Sequence, residues 1–167
     1  LSLHKILSYK NVTANKKSNR ERLKMSKKKH SGECYCGSIQ FEVSGDTAMQ
    51  AICHCTYCRG WSASPVNGVT AFPAGSMTIT KGKEHLKTFA KTEGHNRSWC
   101  EKCGGHVFSD HPPFGIIDVY ASVLKEFDWK PEVHLNYENT IMPMKDGLPK
   151  FKDMPADLGG SGDMVDE

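Results

Sequence analysis

The sequence predicts a mainly β domain built from short strands. Ile39, Phe41 and Val43 alternate with polar residues, which is the period of a half-buried strand. Similar short runs recur along the chain and are separated by turn signals rich in glycine and proline. Neither a long amphipathic helix nor an internal repeat is visible. These features favour a β fold with few, short helices.

Seven strands are predicted in chain order, each bounded by a turn signal. They cover residues 39–43, 77–80, 86–90, 96–99, 106–109, 116–121 and 132–137. Helical structure is expected only as short turns, one directly after Cys55 and another near 122–127.

Charge is distributed unevenly along the 167 residues, although the formal net charge is only +3. Residues 1–30 contain ten Lys or Arg and one acid, a net of +9, whereas the rest contains twelve Lys or Arg and eighteen acids, a net of −6. We therefore predict a basic, disordered extension at 1–30, a folded domain at 31–158 and a loose tail at 159–167. The acidic body makes nucleic-acid binding by the domain an unfavoured function, and no apolar run is long enough to cross a membrane.

The basic extension also bears on where the protein is found. We expect translation to start at Met25, with residues 1–24 derived from leader or vector sequence. An organelle transit peptide is the alternative, because the stretch is basic and poor in acids. Since no secretory signal is recognisable, we expect a cytoplasmic, reducing compartment, where cysteines favour metal ligation over disulfides.

All seven cysteines fall into three clusters. The clusters are Cys34 with Cys36, Cys53 with Cys55 and Cys58, and Cys100 with Cys103. Thiolates two or three residues apart on a tight turn can bind one Zn²⁺, and structural zinc has four such ligands. Seven ligands divide naturally into a closed site of four, from the outer clusters, and an open site of three, from the central cluster. Two structural sites, the second completed by His54 or another histidine, are the alternative.

The three clusters in this order resemble the glutathione-dependent formaldehyde-activating enzymes, also called the centromere protein V family. The residues that carry the resemblance are Cys34-x-Cys36-Gly37, Cys53-His54-Cys55-x-x-Cys58-Arg59 and Cys100-x-x-Cys103-Gly104. The resemblance extends from about residue 32 to about residue 162 and includes the stretches 118–121, 134–137 and 146–150. It implies an Mss4-like fold of mostly antiparallel strands around zinc.

The same resemblance implies two zinc ions per chain and a reaction. Cys34, Cys36, Cys100 and Cys103 would hold the structural zinc, and Cys53, Cys55 and Cys58 the catalytic zinc. The implied activity is condensation of glutathione with formaldehyde, or of a related thiol with a small aldehyde, formally a carbon–sulfur lyase reaction in reverse. A non-catalytic, zinc-stabilised binding module of the centromere protein V type is the alternative.

Other candidate residues lie beside the cysteines. His54 is a candidate for proton transfer, the alternative being a ring that faces solvent or makes a local hydrogen bond. Arg59 is the first candidate to bind a glutathione carboxylate, because arginine binds carboxylates bidentately, and Arg97 is a weaker one. A surface arginine is the alternative for Arg59. The remaining polar candidates, which we expect to be structural or to which we assign no role, are His106, His111, His134 and Asp118.

Overall fold

The computed structural model describes residues 28–166. Most of the predicted basic extension, the expected start at Met25 and the final residue therefore lie outside the described part. The described residues form ten strands in two sheets and one short α-helix, α1 (Thr56–Ser62), which confirms the mainly β class. The strands are β1 (Lys29–Glu33), β2 (Gln40–Ser44), β3 (Met49–Cys53), β4 (Asn67–Pro73), β5 (Met77–Lys81), β6 (Leu86–Thr92), β7 (His95–Cys100), β8 (His106–His111), β9 (Ile116–Tyr120) and β10 (Val133–Leu135).

All seven predicted strands overlap observed ones, whereas β1, β3 and β4 were not predicted. Strand β4 contains Gly68 and ends in a proline, and both residue types are depleted in strands. Strand β10 is shorter than predicted because Asn136 adopts a left-handed φ of 54° directly after it. The predicted helical turn near 122–127 is a 3-10 turn at Ala121–Val123, and Glu126, with φ of 49°, cannot continue it as an α-helix.

The larger sheet has seven strands in the order β10-β3-β4-β9-β8-β7-β6. Its strand pairs are antiparallel except β10 with β3, which is parallel. The smaller sheet has the order β1-β2-β5 and is antiparallel throughout. Helix α1 connects β3 to β4, so the central cysteine cluster lies at the end of a strand in the larger sheet.

The main core lies between the smaller sheet and one face of the larger sheet. Phe41 and Val43 are buried, as their alternation predicted, and pack with Phe72 and Val119 of the larger sheet. Gly32 pairs with Phe41, and a Cβ atom at Gly32 would lie 2.1 Å from the Cζ atom of that ring. Only glycine therefore allows β1 to lie this close to the core.

The other face of the larger sheet carries polar side chains on β7, β8 and β9. The strand registers place Arg97 opposite Ser109 and Ser109 opposite Asp118, so these residues form one row across three strands. Their chain neighbours Phe108 and Val119 pack in the core on the opposite face. We call Arg97, Ser109 and Asp118 the polar row; it forms part of the wall of the cavity described below.

The described residues form strand pairing and hydrogen bonds on either side of the predicted domain 31–158. Strand β1 begins at Lys29, inside the predicted extension, because residues 29–33 pair with β2. The predicted loose tail from 159 is hydrogen-bonded to the segment 150–154, for example through Val165 N–H to the carbonyl oxygen of Lys150 at 2.8 Å. Within the described residues, no helix is both long enough and apolar enough to cross a membrane.

Candidate functional site

The outer cysteine clusters meet in one four-thiol cluster. Cys34 and Cys36 lie in the turn between β1 and β2, whereas Cys100 ends β7 and Cys103 lies in the turn before β8. Their four Sγ atoms all lie within 4.8 Å of one another. The Sγ atoms of Cys34 and Cys36 are 3.7 Å apart, and those of Cys36 and Cys100 are 3.9 Å apart.

These spacings fit a tetrahedral zinc ion. Zn–S bonds of about 2.3 Å at tetrahedral angles place the sulfur atoms about 3.8 Å apart. Backbone N–H groups support the sulfurs, because Ile39 N–H donates to Cys34 Sγ at 3.3 Å and Gly105 N–H donates to Cys103 Sγ at 3.4 Å. The hydrogen bond with Ser38 lowers the pKa of Cys36 to about 6, which favours the thiolate that a metal requires. The four-thiol cluster can therefore hold a metal ion.

The central cluster is positioned by β3 and α1. Cys53 is the buried last residue of β3, Cys55 precedes α1, and Cys58 lies in its first turn. Interactions with Cys53 and Cys58 lower the pKa of Cys55, while the hydrogen bonds with Cys55 and Cys58 raise that of Cys53. The three thiols thus interact, but they are spaced more widely than the four-thiol cluster. Among the described residues, only the latter brings three or more metal-ligating atoms within 4.8 Å of one another.

A cavity of about 300 Å³ opens beside the central cluster. Such a volume is in the range of small-molecule sites. Its wall combines the three thiols, the polar row and apolar side chains from the β3, β4 and β10 end of the sheet. The lining residues are Met49, Cys53, Cys55, Tyr57, Cys58, Asn67, Val69, Thr92, His95, Arg97, Ser109, His111, Phe114, Ile116, Asp118, Tyr120, Leu135, Asn136, Met154 and Leu158.

A chain of hydrogen bonds runs along one wall of the cavity. His111 Nε2 lies 3.0 Å from Asp118 Oδ2, and His111 Nδ1 lies 3.0 Å from His95 Nδ1. When both rings are neutral, His111 Nε2–H donates to the carboxylate of Asp118, and His111 Nδ1 then accepts the proton of His95 Nδ1. This leaves the Nε2 atom of neutral His95 with a free lone pair in the cavity wall. The chain can therefore present a proton acceptor to a ligand.

Arg97 lies in the same wall and is only 7% exposed. In the described part of the chain, its guanidinium group makes neither a hydrogen bond nor an ion pair. The charge of Arg97 nevertheless acts on its surroundings. The hydrogen bond with Cys53 and, more weakly, the charge of Arg97 lower the pKa of Cys58, whereas Cys55 and burial together raise it overall. The weaker of the two arginine candidates thus lies in the cavity with the central cysteines.

The structure places His54 away from the cavity. Cys53 lines the cavity, whereas His54, which follows the last residue of β3, lies beside His134 of β10. The His54 ring is fully buried there, with Nε2 at 2.8 Å from His134 Nδ1, and His134 Nε2 lies 2.9 Å from Asp146 Oδ2. Burial lowers the pKa of His54 to about 4, so the ring is neutral. His134 is 80 residues away in the sequence, so this contact is neither of the alternatives to proton transfer, a solvent-facing ring or a local hydrogen bond.

Arg59 also points away from the cavity. Its Nε–H donates to the carbonyl oxygen of His54 at 2.9 Å, and a second guanidinium N–H donates to that of Asn139 at 2.8 Å. Arg59 therefore joins the loop of the central cysteines to the segment after β10. The two candidates named first beside the cysteines, His54 and Arg59, form a supporting layer behind the cluster.

The cavity wall also contains His95, Ser109 and Tyr120, for which the sequence alone predicts no role, and His111 and Asp118, to which it assigns none. Polar residues that alternate with apolar ones on a strand are typical of a solvent-facing side, so the pattern does not indicate a cavity. Burial raises the pKa of Tyr120 to about 12, so its hydroxyl stays protonated in the wall. The usable signal was positional, since Asp118 and Tyr120 share one face of β9 with alternate spacing.

Taken together, the fold and the site define a class: β-sheet domains with a zinc-type four-thiol cluster and a second thiol cluster beside a cavity. The family described as glutathione-dependent formaldehyde-activating enzyme matches residues 29–139. The chain belongs to this family, which confirms the resemblance inferred from the cysteine motifs.

Individual relatives are distant. A protein of Penicillium rubens is 26% identical over 115 residues, covering 65% of this chain and 60% of the relative. Proteins of Aspergillus flavus and Aspergillus oryzae are each 22% identical over 119 residues, covering 66% of this chain and 62% of the relative. All three are provisionally named glutathione-dependent formaldehyde-activating enzymes, and the chain spans about three fifths of the length of these curated relatives.

A Rhodobacter sphaeroides protein of known crystal structure shares the fold. The two chains superpose with a TM-score of 0.50 at 18% identity, over 59% of this chain and 90% of the other.

Proposed function

We propose that the protein is a zinc-dependent carbon–sulfur lyase that condenses glutathione with formaldehyde, or a closely related thiol with a small aldehyde, to the hydroxymethyl thioether. The single observation that carries the proposal is the meeting of three thiols, a proton acceptor and a buried cation in one cavity. Membership of the formaldehyde-activating family supports the choice of reaction. We place this reaction in the cytoplasm, where glutathione keeps thiols reduced.

Two metal sites are part of this proposal. The four-thiol cluster would hold a structural zinc, and Cys53, Cys55 and Cys58 would hold the second ion with a position left for substrate. When bound at the central cluster, zinc supplies charge that keeps a substrate thiol deprotonated at neutral pH.

The residues of the cavity would bind the thiol and handle its proton. The proton of the glutathione thiol passes to His95 Nε2, and the sulfur forms a bond with the aldehyde carbon as the carbonyl π bond breaks. The proton then returns from His95 to the former carbonyl oxygen, so the step is balanced without an oxidant or a reductant. His111 and Asp118 hold His95 in the tautomer that this exchange requires.

His54 and Arg59 would act as positioning residues in this scheme. Their hydrogen bonds hold the loop that carries Cys53 and Cys55 from the side opposite the cavity. The non-catalytic module that sequence reasoning kept as an alternative does not require a proton acceptor and a buried cation beside the thiols. The composition of the cavity wall therefore favours the enzyme.

Exchange NMR of glutathione with formaldehyde tests the proposal. The zinc-loaded protein should increase the exchange rate between glutathione and its hydroxymethyl adduct above the spontaneous rate, and Cys55→Ser should abolish the increase. Free zinc at the same concentration is the control. An exchange rate equal to that of the control would refute the formaldehyde reaction and leave the binding module as the better description.

A further inference from the structure

Arg97 is the most unusual charged residue among those described. It is 7% exposed, and within the described part of the chain no carboxylate, carbonyl or hydroxyl accepts a hydrogen bond from its guanidinium group. A buried charge without a partner is costly, and native proteins usually pair it. Because Arg97 lines the cavity, a ligand in the cavity can provide the missing acceptor.

The guanidinium group of Arg97 lies at one end of the polar row in the cavity wall. Arg97 stands on β7 opposite Ser109 on β8, and Asp118 follows on β9. Strands lie about 4.8 Å apart, so the backbones that carry Arg97 and Asp118 are about 10 Å apart. Arg97 and Asp118 do not form an ion pair with each other. The polar row therefore presents a positive charge to the cavity at one end and a negative charge at the other.

Two further cavity atoms lack partners within the described residues. They are Asn67 Nδ2, a donor, and Asp118 Oδ1, an acceptor, and both are buried. Arg97, Asn67 and Asp118 thus present a cation, a neutral donor and an anionic acceptor to the same space. This set is complementary to a zwitterionic peptide, which brings carboxylates together with amide or ammonium N–H groups.

We propose that Arg97 is the subsite that binds a carboxylate of the thiol substrate. Its guanidinium group would donate two parallel hydrogen bonds to the carboxylate, which only arginine can do in this geometry. The inference rests on the proposed function, because it assumes that the cavity receives a carboxylated thiol. The competing explanation is that Arg97 only offsets negative charge on the central cysteines.

A matched pair of ligands separates the two explanations. Glutathione and its diethyl ester have the same peptide and thiol but differ in whether the carboxylates are free. Calorimetry with the zinc-loaded full chain should show that glutathione binds about 10- to 100-fold more tightly than the diester. Arg97→Met should reduce this ratio to near one and leave the affinity for the diester largely unchanged. Arg97→Lys, which keeps the charge but loses the bidentate geometry, should recover only part of the ratio.

Other outcomes would overturn the subsite. Equal affinity of the wild-type protein for both ligands would do so, and so would an equal loss for both ligands in Arg97→Met that Arg97→Lys restores. The latter is expected if the residue only offsets cysteine charge. Arg59→Met is the matched control. Arg59 supports the loop of the central cysteines from outside the cavity, so its loss should change the affinity for both ligands alike and leave the ratio unchanged.

Folding and the formaldehyde reaction are checked separately. Circular dichroism and zinc content show whether Arg97→Met keeps the native structure; if it does not, the ratio measured for Arg97→Lys decides the question. The ratio of the affinities for glutathione and the diester can depend on Arg97 even if the protein does not accelerate formaldehyde exchange. That result would refute the proposed reaction but not the subsite.

Discussion

Asp118 determines where the protons lie along the histidine pair of the cavity. When both rings are neutral, its carboxylate accepts the Nε2 proton of His111, and His111 Nδ1 accepts the Nδ1 proton of His95. The Nε2 atom of His95 is then left as an acceptor. The buried pair of His54 and His134 is arranged in the same way around Asp146. Each face of the sheet thus carries one aspartate that sets the tautomers of two imidazole rings.

Replacing Asp118 by asparagine should change the tautomers of the cavity pair. An asparagine amide can donate as well as accept, so His111 no longer has to carry its proton on Nε2. We expect ¹⁵N NMR of the wild-type protein to show an unprotonated Nε2 at His95 near neutral pH, and Asp118→Asn to mix the two tautomers. The accelerated exchange of formaldehyde should fall by about 10²-fold, which is typical of lost acid–base catalysis.

Asp146→Asn is the matched control for this change. It should alter the imidazole signals of His134 and His54 but not those of His95 and His111. The two chains of hydrogen bonds share no residue and lie on opposite faces of the sheet. A wild-type His95 that is protonated on Nε2 would contradict the proton relay.

At the scale of elements, the two cysteine clusters have different structural roles. The four-thiol cluster joins the turn after β1 to the end of β7 and the turn before β8, so it connects the two sheets. Cys34 and Cys100 of this cluster are also members of the main core. The central cluster is local, since its members are all within six residues of one another at the end of β3 and the start of α1.

Serine substitutions should therefore have unequal effects. Cys103→Ser should remove the metal that connects the sheets and lower the free energy of unfolding by several kcal/mol, because structural zinc contributes directly to folding. Cys55→Ser should lower the zinc content from about two to about one per chain while the far-ultraviolet spectrum stays native. Metal analysis and thermal unfolding of both variants measure this difference. Similar loss of structure in the two variants would instead indicate two structural sites.

Across the whole molecule, the features that the sequence predicts are those that depend on residues close together in the sequence. The cysteine clusters were found because their ligands lie two or three residues apart, and β2 was found because Phe41 and Val43 alternate with polar residues. Strands β3 and β4 were missed because both of their faces are partly covered, so they lack a clear alternation. The polar row could not be predicted, since the meeting of Arg97 with Asp118 depends on the pairing of three strands, which no local pattern encodes.

Burial of neutral histidines also makes the stability of the whole molecule depend on pH. His30 packs against Phe72 and Phe127, with ring centroids 5.9 and 4.9 Å away. Burial lowers its pKa below the ordinary 6.5, Lys28 lowers it further, and Asp46 opposes this effect. The unfolded chain therefore takes up a proton at a higher pH than the folded chain does. The contribution of His30 to stability is complete above pH 6.5 and is lost as the pH falls toward the folded pKa.

His30→Phe should flatten this pH dependence, because phenylalanine keeps the aromatic contacts but has no group to protonate. Urea unfolding between about pH 5.5 and pH 8 measures the slope, and comparison at each pH cancels the release of zinc that acid causes in every variant. If His30→Phe leaves the slope unchanged, the ring of His30 takes up its proton equally in the folded and unfolded chain, and the acid sensitivity comes from the cysteine clusters.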